Sequence, residues 1–145
     1  MKIVIQRVSN ASVEVEEKEV GVIGFGALVF LGVSIGDRKE SAVWLASKFV
    51  NLRMFSDEQG KLNSSILEKK GEALIVSQFT LYADCKVGRR PSFTKAAPPD
   101  VAKSFYETFI EEVRNLGVVV QTGVFGAKMK VSLVNEGPMT LIIER

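Results

Sequence analysis

Two kinds of strand stand side by side in the first 33 residues, and together they narrow what the chain can fold into. Ala11-Ser12-Val13-Glu14-Val15-Glu16 alternates strictly between apolar and polar, and Ile3, Ile5 and Arg7 alternate with Val4, Gln6 and Val8 before it. A period of two puts such side chains on opposite faces of a strand, so that one face is dry and the other wet. Ala27-Leu28-Val29-Phe30-Leu31-Gly32-Val33 does not alternate at all. A run that is apolar on both sides needs cover on both. With Val20-Gly21-Val22-Ile23-Gly24 between them and Glu17-Lys18 as a tight turn, these runs predict an antiparallel meander.

Helical spacing follows. Asp37 with Glu40 three residues on has the form of a capping box, and Ala42, Leu45, Ala46, Phe49, Val50 and Arg53 recur on one face after it. That pattern predicts a helix of about four turns. Trp44 lies off the centre of the stripe and reads as an interfacial aromatic with a wet indole N–H. Ser56 to Lys61 is turn chemistry, and Gly71-Glu72 is a break before a strand from Ala73 to Phe79. Cys85 to Pro99 has little periodicity and reads as a long loop. Pro98-Pro99-Asp100 then launches a second helix, whose stripe of Ala102, Phe105, Tyr106, Phe109, Ile110, Val113 and Leu116 is closed by Gly117. Val118–Val120, Met129–Val134 and Thr140–Ile143 read as three further strands.

A chain of 145 residues, 46% of them hydrophobic, fits one domain over residues 1–145 that folds without disulfide or metal. The lone Cys85 has no partner for an internal disulfide, and Met1 to Arg7 is too short and too soon polar for a signal peptide. No apolar run approaches the ~20 residues of a membrane span. The expectation is a soluble, cytoplasmic protein with no membrane partner. Nineteen Lys and Arg against 17 Asp and Glu leave a net charge of +2, which argues against a broad phosphate-neutralising surface and leaves room for a small nucleic-acid contact. There is no histidine. A Ser-His-Asp triad, a Cys-His pair and a histidine zinc site are therefore excluded, and chemistry must come from hydroxyls, main-chain groups, carboxylates, lysine or the substrate.

Four places carry residues suited to such chemistry. Ser77-Gln78-Phe79-Thr80 interrupts an apolar strand with polar groups, where free main-chain N–H groups at a strand end suit an oxyanion hole. The plainer reading is a strand end whose hydroxyls satisfy neighbouring backbone. Gly137-Pro138 links two strands; a glycine before a cis proline leaves both carbonyls open to accept from an ammonium group, while the plainer reading is an ordinary hairpin turn with an unusual φ at the glycine. Arg89 and Arg90 lie on the loop, either to grip phosphates or as a solvated charge cluster. Phe125-Gly126-Ala127, ahead of Met129, offers an aromatic and a small-residue gap where a nucleobase can stack.

Taken in order, Gln6-Arg7-Val8, Ser77-Gln78-Phe79-Thr80-Leu81-Tyr82, Gly88-Arg89-Arg90-Pro91-Ser92-Phe93, Phe125-Gly126-Ala127 and Val131-Ser132-Leu133-Val134-Asn135 leading into Gly137-Pro138 resemble the D-aminoacyl-tRNA deacylases, also called D-tyrosyl-tRNA deacylases. The resemblance is collinear over essentially the whole chain. It departs from the family pattern at Cys85-Lys86-Val87 and at Met139, where valine is common.

The resemblance implies an α/β (α+β) fold, a compact domain of antiparallel-rich sheet curled into a barrel-like roll with two helices. It implies hydrolysis of the ester of D-aminoacyl-tRNA with no cofactor, the partner being the aminoacylated tRNA acceptor end. It implies a homodimer in which Gly137-Pro138 of one subunit enters the other's site, meets the α-amino group of the substrate and excludes an L side chain by main-chain bulk. A site that selects by exclusion also accepts glycine. Arg7 is then the residue that orients the Gly-Pro turn. Ser77 positions the reacting end, the N–H groups of Gln78, Phe79 and Thr80 form the oxyanion hole, Thr80 is structural or orienting, and the substrate's 2′-hydroxyl assists. Phe125 and Ala127 are expected near the terminal adenine. The competing classes are a non-catalytic RNA-end binding module and a purely structural dimer.

Overall fold

The computed structural model describes residues 1–145. β1 (Lys2–Val15) is a single strand of 14 residues at the centre of the sheet, where two shorter strands were expected. Ser9-Asn10 holds neither glycine nor proline, and the change of pattern there marks a register shift rather than a turn. β2 (Lys18–Ile23) and β3 (Gly26–Gly32) therefore lie end to end along one edge of β1, with Ala11 opposite Ile23 and Val8 opposite Gly26. No meander forms. The turn is Glu16-Glu17 rather than Glu17-Lys18, both glutamates at positive φ (50° and 63°), as a two-residue hairpin loop of the I′ type requires.

Beyond β3 the sheet turns parallel. β6 (Glu72–Ser77) lies parallel to β3 and β7 (Val119–Thr122) parallel to β6, so each pair needs a crossover. α1 (Lys39–Val50) lies within the first and α2 (Pro99–Asn115) within the second, the first also holding the short hairpin β4 (Phe55–Ser56) and β5 (Leu62–Ser64). β8 (Lys130–Glu144) runs antiparallel along the free edge of β1. The two helices pack on one face of the sheet through Leu45, Phe49, Phe109 and Val113 over Ile3, Ile5, Val29 and Ile75. Each such fully buried side chain contributes about 1.5–3 kcal/mol. The opposite face curls on itself around Val8, Val13, Ile23, Leu28, Leu74 and Val76. The curl brings β2 so near β7 that a Cβ on Gly21 would stand 2.7 Å from the Thr122 carbonyl oxygen. The outcome is the expected barrel-like roll with two helices, its sheet mixed but still antiparallel-rich: β1 pairs antiparallel with β2, β3 and β8, and only β3–β6 and β6–β7 are parallel.

The capping box does not form. The Asp37 carboxylate accepts the Ser34 N–H at 2.7 Å instead, the N-cap is Arg38 with no side-chain bond, and α1 ends at Val50, short of Arg53. α2 matches its pattern, with Pro99 in its first turn and Gly117 at φ 96° beyond its end. No helix is long and apolar enough to cross a membrane.

Candidate functional site

The three parallel strands all point their carboxyl ends the same way, and beyond those ends the connecting segments diverge. Such a crevice is where α/β sheets leave room for a ligand. Here it is a cleft of about 730 Å³, within the range of small-molecule sites. Val33 and Ile35 line it beyond β3, Ser77 at the end of β6 with Gln78 and Phe79 beyond, and Phe125, Gly126 and Ala127 beyond β7. Residues that lie far apart in sequence are thus brought to one hollow by the parallel pairing. Phe93, Ala96, Ala97 and Pro98 close it from the long loop, which is stitched to the segment after β3 by Ile35 N–H to Lys95 O at 3.0 Å and Ala97 N–H to Val33 O at 2.9 Å. Phe79 and Phe93 meet edge to face at 5.1 Å between centroids and form one wall.

β6 stops at Ser77, short of the expected Phe79. Gln78 makes the last rung, its N–H donating to Leu31 O at 2.8 Å. The chain then tightens into a 3-10 turn over Phe79–Tyr82, whose first internal bond is Leu81 N–H to Gln78 O at 3.3 Å. The N–H groups of Phe79 and Thr80 fall between these two ladders, and no side chain caps them. Of the three main-chain donors considered from sequence, the Gln78 N–H is thus already engaged. The turn can lie close on β3 because residue 32 is glycine: a Cβ there would stand 3.1 Å from Gln78 O and 3.1 Å from Leu81 Cβ. The Thr80 hydroxyl accepts a hydrogen bond from the Gln78 side-chain amide rather than binding backbone. Tyr82, closing the turn, has its phenol pushed up to about 12 by burial and carries the Lys2 ammonium 5.0 Å above its ring.

Arg89 and Arg90 do not line the cleft. They sit on an exposed lobe pinched at its base by two bonds between Asp84 and Ser92, at 2.7 and 2.9 Å. Lys95 donates to Asp84 Oδ2 at 2.9 Å, and that hydrogen bond holds the Asp84 carboxyl below its ordinary range. Val87, in the stretch that departs from the family pattern, is 87% exposed at the tip.

Gly137-Pro138 is not a hairpin turn. Between Gln6, opposite Thr140, and Val8, opposite Asn135, β1 advances two residues while β8 advances five. The surplus is extruded as an exposed excursion around a cis Gly137–Pro138 peptide. Arg7 stands opposite it, donating from Nε to Glu136 O at 3.3 Å, from Nη2 to Gly137 O at 3.4 Å and from Nη1 to Met54 O at 2.8 Å. Asn135, whose role the sequence did not disclose, staples the base: its amide donates to Arg7 O at 2.8 Å and Met139 O at 3.1 Å. Gly137 has no positive φ, and a Cβ on it would meet nothing within 4 Å. The fold of this chain does not itself call for glycine there. Nor does the excursion reach its own cleft. Arg7 pairs with Ala27, whereas the cleft begins at Leu31, about 13 Å further along β3 at 3.3 Å per residue.

A family model described as D-Tyr-tRNA(Tyr) deacylase matches residues 4–144. The chain belongs to this family. The match takes in both the cleft and the excursion. A D-aminoacyl-tRNA deacylase of Thermosipho africanus is 58% identical over 144 residues, spanning 99% of this chain and 97% of its own. One from Bacillus cytotoxicus is 52% identical, spanning 99% of each. Among solved structures, one described as the c-Myc DNA unwinding element binding protein superposes with a TM-score of 0.94 at 40% identity, over 100% of this chain and 99% of that one. A probable eukaryotic D-amino acid tRNA deacylase shares the fold at a TM-score of 0.82 and 20% identity, over 98% and 97% of the two chains.

Proposed function

We propose that the chain, acting as one deacylase domain over residues 1–145, hydrolyses the ester of D-aminoacyl-tRNA in the cleft beyond β3, β6 and β7. Membership of the deacylase family carries the reaction class. The observation that best supports this location is the pair of N–H groups left outside both ladders, one on Phe79, which lines the cleft, and one on Thr80, the next residue, which does not itself line it. Water adds to the ester carbonyl, the two N–H groups hold the oxyanion, and collapse expels the terminal ribose oxygen, which takes up a proton. One such donor is worth roughly 100- to 1000-fold in rate. Ser77 positions the reacting end, Thr80 orients it through Gln78, and the neighbouring 2′-hydroxyl assists. Phe125, Gly126 and Ala127 take the terminal adenine, while Arg89 and Arg90 reach phosphates beyond it.

Chirality is read by Gly137 and Pro138 from the second subunit of a homodimer, with Arg7 and Asn135 holding their main chain. Two observations support an arrangement in trans: the excursion lies away from its own cleft, and its glycine meets no demand within its own chain. The main-chain carbonyls accept from the substrate ammonium, and an L side chain collides with backbone that has no rotamer to change. Glycine, with no side chain, is accepted. The setting is the cytoplasm, where aminoacyl-tRNA is made. Parallel assays on D-, L- and glycyl-esters of tRNA test the reading. Cleavage of the D- and glycyl-esters with the L-ester spared is expected. Retention of D-aminoacyl-tRNA without cleavage would make the protein a binding module, and D-specific cleavage without glycyl cleavage would mean that the side chain is recognised rather than excluded.

A further inference from the structure

α2 buries two polar side chains: the Thr108 hydroxyl turns back to donate to Ser104 O of its own helix at 2.9 Å, and only Tyr106 reaches across to the sheet. Tyr106 is 4% exposed, and its hydroxyl donates to Ile75 O at 2.8 Å. Burial lifts its phenol above the ordinary tyrosine range, so the group stays a protonated donor. The same carbonyl also accepts the Gly123 N–H at 3.2 Å. Ile75 opposite Thr122 is the last paired position between β6 and β7. Beyond it the strands part, β6 toward Ser77, Phe79 and Thr80, β7 toward Gly123 and Phe125. The Tyr106 ring also packs 5.9 Å from the Phe125 ring. One side chain thus touches both arms of the fork. A phenylalanine would fill the same volume, and a hydroxyl is costly to bury unless its bond is used.

We infer that Tyr106 is a positioning residue of the deacylase site, its hydroxyl fixing the fork at Ile75 so that the adenosine wall and the ester-binding turn keep one spacing. The inference rests on the function proposed above. Adenosine binding on Phe125 helps the ester react only if the two arms are held rigidly to each other. Loosening the fork leaves adenosine bound and the ester out of register, which lowers kcat and spares KM. The fold survives removal of the hydroxyl, since Gly123 still bonds Ile75 O and the ring is unchanged.

The test uses the full-length protein on D-tyrosyl-tRNA, at a temperature where circular dichroism shows every variant folded. Tyr106→Phe is expected to lower kcat about 5- to 20-fold with KM within about twofold. In a Phe125→Ala background the same change is expected to have much less effect, because the wall it positions is gone. An unchanged kcat, a rise in KM alone, or losses that simply multiply in the double variant would overturn the inference. Difluorotyrosine at position 106 alters donor strength at nearly constant shape and serves if Tyr106→Phe does not fold; kcat unmoved by it would be equally decisive. Wild-type protein that does not cleave D-tyrosyl-tRNA would instead sink the proposed function itself.

Discussion

Gly137→Ala separates what the fold needs from what the site needs. Residue 137 has no positive φ, and an added Cβ meets nothing within 4 Å of its own chain. A methyl group there introduces no clash and removes freedom from the unfolded chain, so stability is expected to rise by about 0.4–1 kcal/mol. At this chain length that is a gain of roughly 1–4 °C in Tm. The same methyl enters the space where the proposed mechanism puts the ammonium and α-carbon of a substrate held by the other subunit. A displacement of about 1 Å at a reacting centre costs on the order of 100-fold, so kcat/KM on D-tyrosyl-tRNA is expected to fall by about that factor. Differential scanning calorimetry and single-turnover deacylation on the same preparation read the two effects. A stable variant with wild-type rate and chiral preference would refute the placement of the substrate. A fall in Tm of more than about 5 °C would refute the account of the excursion as free of internal demand.

Gly32→Ala pushes a Cβ against Gln78 O and Leu81 Cβ, each at 3.1 Å, so the 3-10 turn must shift by a few tenths of an ångström. Turnover is expected to drop at least about tenfold while the protein stays folded, measured as kcat at saturating substrate. Thr80→Val keeps the main-chain donor and removes only the hydroxyl, so measurable turnover is expected, and a trapped acyl-Thr80 species in the wild type would contradict the assigned role. Replacing Glu16-Glu17 by Asn-Gly relieves two residues at φ 50° and 63° and is expected to add about 1–2 kcal/mol of stability in urea unfolding, with activity unchanged. Activity and sedimentation followed together through a dilution series are expected to fall together. Full activity in a demonstrated monomer would remove the second subunit from the mechanism.

The sequence disclosed the elements better than their pairing. The stripe of α2 and the unbroken apolar run of β3 could be read directly, because periodicity and burial are local properties of a segment. That β3, β6 and β7 run parallel could not: a strand covered on both faces has the same composition whichever way its neighbour points, and direction here is set by the helical crossovers. The cleft depended on that direction, so its residues were recognisable as motifs before they could be understood as a place. Asp37 and Glu40 satisfied a spacing rule and failed because both carboxylate oxygens of Asp37 are engaged elsewhere, one by the Met1 ammonium and one by the Ser34 N–H. Gly137-Pro138 stood out, but a Gly-Pro pair between two strand runs reads the same in a hairpin as in an excursion, and only register against β1 tells them apart. Tyr106 read as one more member of an apolar stripe, since nothing in a periodic pattern says where a hydroxyl finds its acceptor.

β1 takes its second edge from β8, so residues 2–14 wait for residues 130–144 before the central strand is paired on both sides. During synthesis the segments that line the cleft, the last of them Val131 at the start of β8, leave the ribosome before Gly137 and Pro138 further along that strand. Under the proposed mechanism, a chain interrupted between the two would hold hydrolytic groups without the part assigned to judge handedness, and would strip correctly charged L-aminoacyl-tRNA close to where it is consumed. On that reading, making the last strand also the one that completes the sheet ties catalytic competence to the arrival of the proposed selector: until β8 docks, Ile3, Ile5, Val8 and Val13 lack the neighbours that seal them.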